Sequence, residues 1–152
     1  MSKLKIFSKA ILVPVVLGFI VGLIISNYMD YSSLSKPLLA PPSIVFPIVW
    51  TILYILMGIS YGIIDYEGKI DSEINVIYYS QLFVNLLWSI IFFVLKWRLF
   101  AFLWIILLIV LVCIMIFKFY KRNKVASLIQ IPYLLWIIFA SYLNISFYLL
   151  NM

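Results

Sequence analysis

The side chains that could do chemistry in this chain fall mainly on three faces. Gln81, Asn85 and Trp88 stand at i, i+4 and i+7, so one helix face carries two amides and an indole. Trp50, Tyr54, Met57 and Tyr61 share a second face at i, i+4, i+7 and i+11, and Tyr133, Trp136, Ala140 and Asn144 share a third at i, i+3, i+7 and i+11. Three aromatic stripes with a few polar groups make the kind of cavity that holds a small molecule. Asn85 falls at the middle of its apolar segment, where an unpaired amide is costly. It is therefore either a helix–helix bridge or a polar anchor for a ligand, and the anchor is the expectation carried forward. The chain has no histidine. That removes a His-ligated haem, the usual zinc sites and a Ser-His-Asp triad. No glycine-rich phosphate loop occurs. The single cysteine, Cys113, lies in an apolar run and is expected to be a small buried hydrophobe. No Asp or Glu falls in the middle of an apolar segment, which argues against an ion-coupled pump. Neither a metal nor a cofactor is expected.

The elements that must position these residues follow from composition. Of 152 residues, 67% are hydrophobic and 11% charged, against roughly 45–50% and about 25% in soluble domains. Mean hydropathy is +1.22. A soluble globular domain, a disordered chain and a disulfide scaffold are excluded, and an integral membrane protein remains. Crossing a bilayer takes roughly 20 apolar residues in a helix. Segments 6–27, 44–65, 75–95, 99–119 and 125–150 meet that length. The expected fold is all-α: a polytopic membrane protein with one bundle of five transmembrane helices in a single domain over 1–152. The first segment is too long for the hydrophobic part of a signal peptide and is read as a span.

Lys3, Lys5, Lys9, Lys69, Lys118, Lys121, Arg122 and Lys124 fall on one side, and Lys36, Lys96 and Arg98 on the other. The positive-inside rule then places the N-terminus in the cytoplasm. The net charge of +6 is accordingly read as orientation in the lipid bilayer, not as nucleic-acid binding. Gly18, Gly22 and Ser26, with Gly58 and Gly62, are small residues four apart, suited to bundle packing or to a homodimer face. The longest connection, 28–43, carries Lys36-Pro37 and Pro41-Pro42 and is expected to be a lid or binding loop.

Three blocks of sequence resemble the TspO/MBR family of translocator proteins, peripheral benzodiazepine receptors and tryptophan-rich sensory proteins. The first is Lys36-Pro-Leu-Leu-Ala-Pro-Pro42 running into Phe46-Pro-Ile-Val-Trp50, Leu53-Tyr54 and Met57-Gly58. The second is Gln81-Leu82 with Asn85, Trp88 and Phe92-Phe93. The third is Pro132-Tyr-Leu-Leu-Trp136 with Phe139-Ala140 and Leu143-Asn144. The resemblance implies a five-helix bundle, often dimeric, with a ligand pocket under the first loop. It implies porphyrin or a similar hydrophobic small molecule as partner. By motif position it assigns the pocket to Trp50, Tyr54, Asn85, Trp88, Trp136 and Ala140, with Tyr31, Pro41 and Pro42 in the lid. Phe100 stands where several members have a pocket tryptophan. Two lid tryptophans of the family are Asp30 and Leu39 here, and the basic residue of the animal cholesterol motif is missing after Tyr142.

The function expected is a membrane receptor or translocator for tetrapyrroles. Two alternatives stand beside it. One is a light- and oxygen-dependent porphyrin-degrading enzyme with Trp50 and Trp136 as catalytic candidates. The other is a regulatory membrane partner without transport. The setting expected is a prokaryotic cell membrane.

Overall fold

The computed structural model describes residues 2–152. It is all-helical over that range, and five helical stretches are long and apolar enough to cross a membrane. Helix α1, Lys3–Ser26, opens on Ser2, whose hydroxyl accepts from the Lys5 N–H at 3.3 Å. It is apolar on every face, and only Ala10 and Pro14 are buried, so most of its surface is left to lipid. Helix α2 is Val45–Tyr66 and α3 is Ser72–Ser89. α3 continues into a π-helical turn, Ile90–Leu95, that stops where Lys96 takes a left-handed φ of 59°. Helix α4 is Arg98–Tyr120, α5 is Lys124–Ile129 and α6 is Ile131–Leu150.

The helix bounds depart most from the hydropathy reading at three places; α1 starts at Lys3 rather than at 6, on the Ser2 cap. α3 starts at Ser72 rather than at 75, because the Asp71 carboxylate accepts from the Ile74 N–H at 3.0 Å and Glu73 sits in the first turn, favouring the helix N-terminus. The last segment is two helices, not one. Pro132 lacks an N–H and belongs in the first turn of a helix, so the chain breaks at Gln130 and restarts as α6. Cys113 corrects another expectation: it is exposed on the outer face of α4. α4 is apolar all round, so its sequence carries no phase to say which face turns inward.

α4 packs against α3, α5 and α6, and α1 packs against α2. Ile105, Leu108, Val112 and Met115 of α4 meet Ile137 of α6 and Leu82 of α3 in a fully buried core. The α1–α2 contact is backbone-close. A Cβ on Gly58 would lie 2.4 Å from the Ile11 Cα and 2.7 Å from the Ala10 carbonyl, so only glycine fits there. α2 rests on α1 and α5 rather than closely on α6. The space between α2 and α6 at one end of the bundle is filled by aromatic rings.

Polar contacts sort the loops into two ends. At one end Lys69 donates to the Arg122 carbonyl at 2.9 Å, Arg122 pairs with Asp71 at 2.7 Å and Asn123 donates to Glu67 at 2.6 Å. At the other, the first loop joins the α3–α4 connection through Asp30 and Arg98 and the C-terminal residues through Ser35 and Asn151.

Candidate ligand cavity

The cavity lies beneath the first loop, between α2, α3 and α6. Phe46 and Trp50 wall it from α2, Trp88, Phe92 and Phe93 from α3 and its π turn, and Trp136, Ala140, Asn144 and Phe147 from α6. Tyr31 closes the top: its ring packs edge-on against Phe46 at 5.2 Å and Phe147 at 5.4 Å. Trp50 is the hub, with ring centroids 6.4 Å from Trp88, 6.4 Å from Tyr133 and 6.4 Å from Trp136, and 5.8 Å from Tyr54. The free volume is about 20 Å³, whereas ligand sites run to about 300–1,000 Å³. A ligand larger than a water therefore needs an aromatic wall or the loop above it to move.

Hydrogen bonds fix part of the wall and the loop above it. Trp88 Nε1 donates to Asn144 Oδ1 at 2.9 Å, and Asn144 Nδ2 donates to the Arg98 carbonyl at 2.7 Å. Arg98 Nη2 donates to both Asp30 oxygens, at 2.8 and 2.9 Å, while its guanidinium lies 4.9 Å from the Phe92 ring centre. Lys96 adds a second cation 3.5 Å from Asp30. Burial alone would raise the Asp30 pKa. The Arg98 hydrogen bond and the Arg98 and Lys96 charges outweigh it and hold the carboxyl below its ordinary range. The residue beside the Tyr31 plug is thus latched to the start of α4. The rest of the loop is pinned as well. The Tyr31 hydroxyl donates to the Pro41 carbonyl, and Tyr142 Oη donates to the Leu38 carbonyl at 2.6 Å. These bonds bracket Leu39, whose φ of 73° a β-carbon disfavours by about 1 kcal/mol.

Five of the residues expected at the site come together around the cavity: Tyr31, Trp50, Trp88, Trp136 and Ala140. Pro41 and Pro42 lie in the loop, Pro41 as the acceptor for Tyr31. Tyr54 and Asn85 lie one turn deeper. Asn85 Oδ1 accepts from Tyr54 Oη at 2.6 Å, and Asn85 Nδ2 donates to Tyr133 Oη at 2.7 Å. Tyr133 in turn donates to Gln81 Oε1 at 2.7 Å. The Asn85 amide is spent at both ends and does not line the cavity, so the structure gives it the bridging role rather than the anchoring one. Phe100 also departs from expectation. It is 46% exposed on the outside of α4 against Trp97 and Trp104, away from the aromatic walls.

Among the cavity residues, Trp136 Nε1 is fully buried without an acceptor among the described residues. The residues missed as site residues are Phe46, Phe92, Phe93, Leu143, Asn144 and Phe147 in the walls and the Asp30–Arg98 pair at the loop. The pair had a weak signal, since Asp30, Lys96 and Arg98 are charges in loops expected at the same end of the bundle.

Fold and site together define a small polytopic membrane protein whose helices enclose an aromatic cavity beneath a latched loop. Residues 10–149 match the model of the TspO/MBR family. The chain is 43% identical over 122 residues to the tryptophan-rich protein TspO of Archaeoglobus fulgidus, covering 80% of this chain and 79% of that one. It is 32% identical over 122 residues to the tryptophan-rich sensory protein of Cereibacter sphaeroides, covering 80% and 76%. It is 30% identical over 149 residues to the translocator protein homolog of Schizosaccharomyces pombe, covering 94% and 90%. The chain belongs to the TspO/MBR family.

Proposed function

We propose that this protein is a membrane receptor of the translocator type that binds a tetrapyrrole or a similar flat hydrophobic molecule in the aromatic cavity. The observation that carries the reading is the wall of facing rings beneath the loop, among which the buried Trp136 N–H keeps no acceptor among the described residues. A buried donor without a partner is unfavourable, and a ligand carbonyl or carboxylate would satisfy it. The rings offer faces and edges to a macrocycle at stacking distances. Binding displaces Tyr31 and its loop, so it gives up the ring's contacts with Phe46 and Phe147 and strains the hydrogen bonds and the Asp30 pairs with Arg98 and Lys96 that hold the loop. The names sensory protein and translocator protein homolog, carried by the relatives, agree with a receptor or carrier role. The charge asymmetry supports a cytoplasmic N-terminus.

The test is titration of the protein in nanodiscs with protoporphyrin IX in the dark, following tryptophan fluorescence. Trp136→Phe keeps a ring and removes only the N–H, so affinity should fall about 2- to 10-fold, the equivalent of one hydrogen bond. An unchanged affinity would remove Trp136 as the donor. A second reading has one observation in its favour: Trp50 and Trp136 are in perpendicular ring contact at 6.4 Å, two oxidisable indoles beside the bound molecule. Under light and oxygen, a porphyrin-degrading activity would lose its product in Trp136→Phe. Equal product from both proteins would leave only the porphyrin's own photochemistry.

A further inference from the structure

A larger apolar recess lies on the lipid side of the bundle, between α1, α2 and the end of α3. It encloses about 410 Å³, against about 20 Å³ for the aromatic cavity. On its α1 side Gly18 and Gly22 lie among Val15, Phe19, Val21 and Ile25. A Cβ on Gly18 would lie 2.4 Å from the Tyr54 ring, so that ring is seated directly on the α1 backbone. A Cβ on Gly22 would meet nothing within 4 Å, so the backbone there faces open recess. The opposite side is aromatic, and Phe46, Trp50, Trp88 and Phe93 line both the recess and the cavity. These rings are a partition with a space on each side.

Polar groups in the recess are few. The Ser26 hydroxyl is spent on the Leu23 carbonyl at 2.7 Å and that of Thr51 on the Pro47 carbonyl at 2.7 Å. Ser89 lines the recess, is 8% exposed, and takes part in no side-chain hydrogen bond of the described residues. In hydrocarbon surroundings an unpaired hydroxyl is unfavourable, so Ser89 lacks a partner that an occupant could supply.

We propose that the recess is a second ligand subsite, which takes the flat ring body of a bilayer-dissolved molecule from the side of the bundle, with Ser89 as its hydrogen-bonding contact. An apolar α1 face thinned at Gly22, opposite an aromatic wall, suits a planar ring. An acyl chain has no group for Ser89. The inference rests on the reading of the aromatic cavity as a ligand site, because the shared tryptophans make the recess its lipid-side approach.

The experiment uses the full chain in nanodiscs and protoporphyrin IX dimethyl ester, which has no charge to hold it out of the bilayer. Gly22→Leu fills the recess without a clash and replaces a helical glycine. It should weaken binding by roughly tenfold or more with no drop in melting temperature, and Ser89→Ala should weaken it about 2- to 10-fold. Ala140→Leu fills the aromatic cavity instead and separates the two readings. Loss in Ala140→Leu with parental affinity in Gly22→Leu overturns the recess and leaves the cavity standing. Loss in Gly22→Leu with parental affinity in Ala140→Leu keeps the recess and overturns the cavity. No binding by the parent overturns both. If Gly22→Leu abolishes a cross-linkable dimer while ester affinity holds, the recess is covered by a second copy and the proposal fails.

Discussion

Replacing Asn85 by leucine removes both ends of the bridge that ties α2, α3 and α6 together. Tyr54 Oη loses its acceptor, and Tyr133 Oη loses a donor but keeps Gln81 as its own acceptor. Asn85, Tyr54 and Tyr133 are 1%, 7% and 1% exposed, so water cannot replace what is lost. The Tyr54 hydroxyl is left buried and unpaired, which costs about 1–3 kcal/mol. The second bond adds about 0.6 kcal/mol, the average for interhelical bonds within membranes. Tyr54→Phe removes the donor and leaves only an amide oxygen short of one bond, so it should cost about 1 kcal/mol. In the double variant the orphaned hydroxyl is gone, and the two losses should couple by about 0.6–1.7 kcal/mol. The assay is unfolding by graded denaturing detergent, followed by circular dichroism, with protoporphyrin IX affinity measured on the same preparations. Because Asn85 does not line the cavity, affinity should stay within about threefold, less than 1 kcal/mol. Additive single effects, or a tenfold loss of affinity at unchanged stability, would refute the bridge and return Asn85 to the ligand.

Three further outcomes are expected. Gly58→Ala should destabilise the protein by about 1–3 kcal/mol, because its Cβ would meet the α1 backbone, whereas Gly22→Ala should stabilise it by about 0.4–1 kcal/mol; thermal melts of the two variants check the contrast. Asp30→Asn should loosen the first loop and speed the backbone hydrogen exchange of residues 31–40 at neutral pH. Since the Asp30 pKa is lowered by folding, the latch contributes stability above the ordinary aspartate pKa of about 3.9 and loses it as pH falls through the lower folded value. Parental loop protection should therefore hold at pH 5 and fade only below about pH 4; fading at pH 6 would mean another group holds the loop. Thiol labelling at positions 2 and 151 in a Cys113→Ala background should place position 2 inside intact cells, and its modification by an impermeant reagent would invert the topology.

The spans were legible because hydrocarbon demands about 20 apolar residues whatever they pack against. The aromatic walls were legible in part because Trp50, Trp88, Trp136 and Ala140 repeat at helical spacing on stripes rich in rings. What escaped the sequence depended on partners from other helices. Asn85 reads the same whether its amide meets a ligand or two tyrosines, and Tyr54 and Tyr133 lie 31 and 48 residues away from it. Phe100 and Cys113 sit on α4, where uniform hydrophobicity hides the rotation of the helix. Asp30 and Arg98 are 68 residues apart and find each other only once the loops share an end. The break at Gln130 was signalled by Pro132, but the high mean apolarity of 125–150, despite Ser127 and Gln130, masked it.

A flat macrocycle should occupy the space between Trp50, Trp88 and Trp136. Ala140 is 4% exposed on the wall of that space, and Ala140→Leu takes up more than its free volume, so it competes directly with a ligand; a thermal melt of the variant checks that the fold is kept. Tryptophan quenching by protoporphyrin IX, in nanodiscs and corrected against free tryptophan at matched absorbance, measures occupancy directly. The prediction is saturable quenching in the parent and a loss of affinity of roughly tenfold or more, about 1.4 kcal/mol, in Ala140→Leu. Quenching of the parent no greater than that of free tryptophan, or equal affinity in the two proteins, would contradict it.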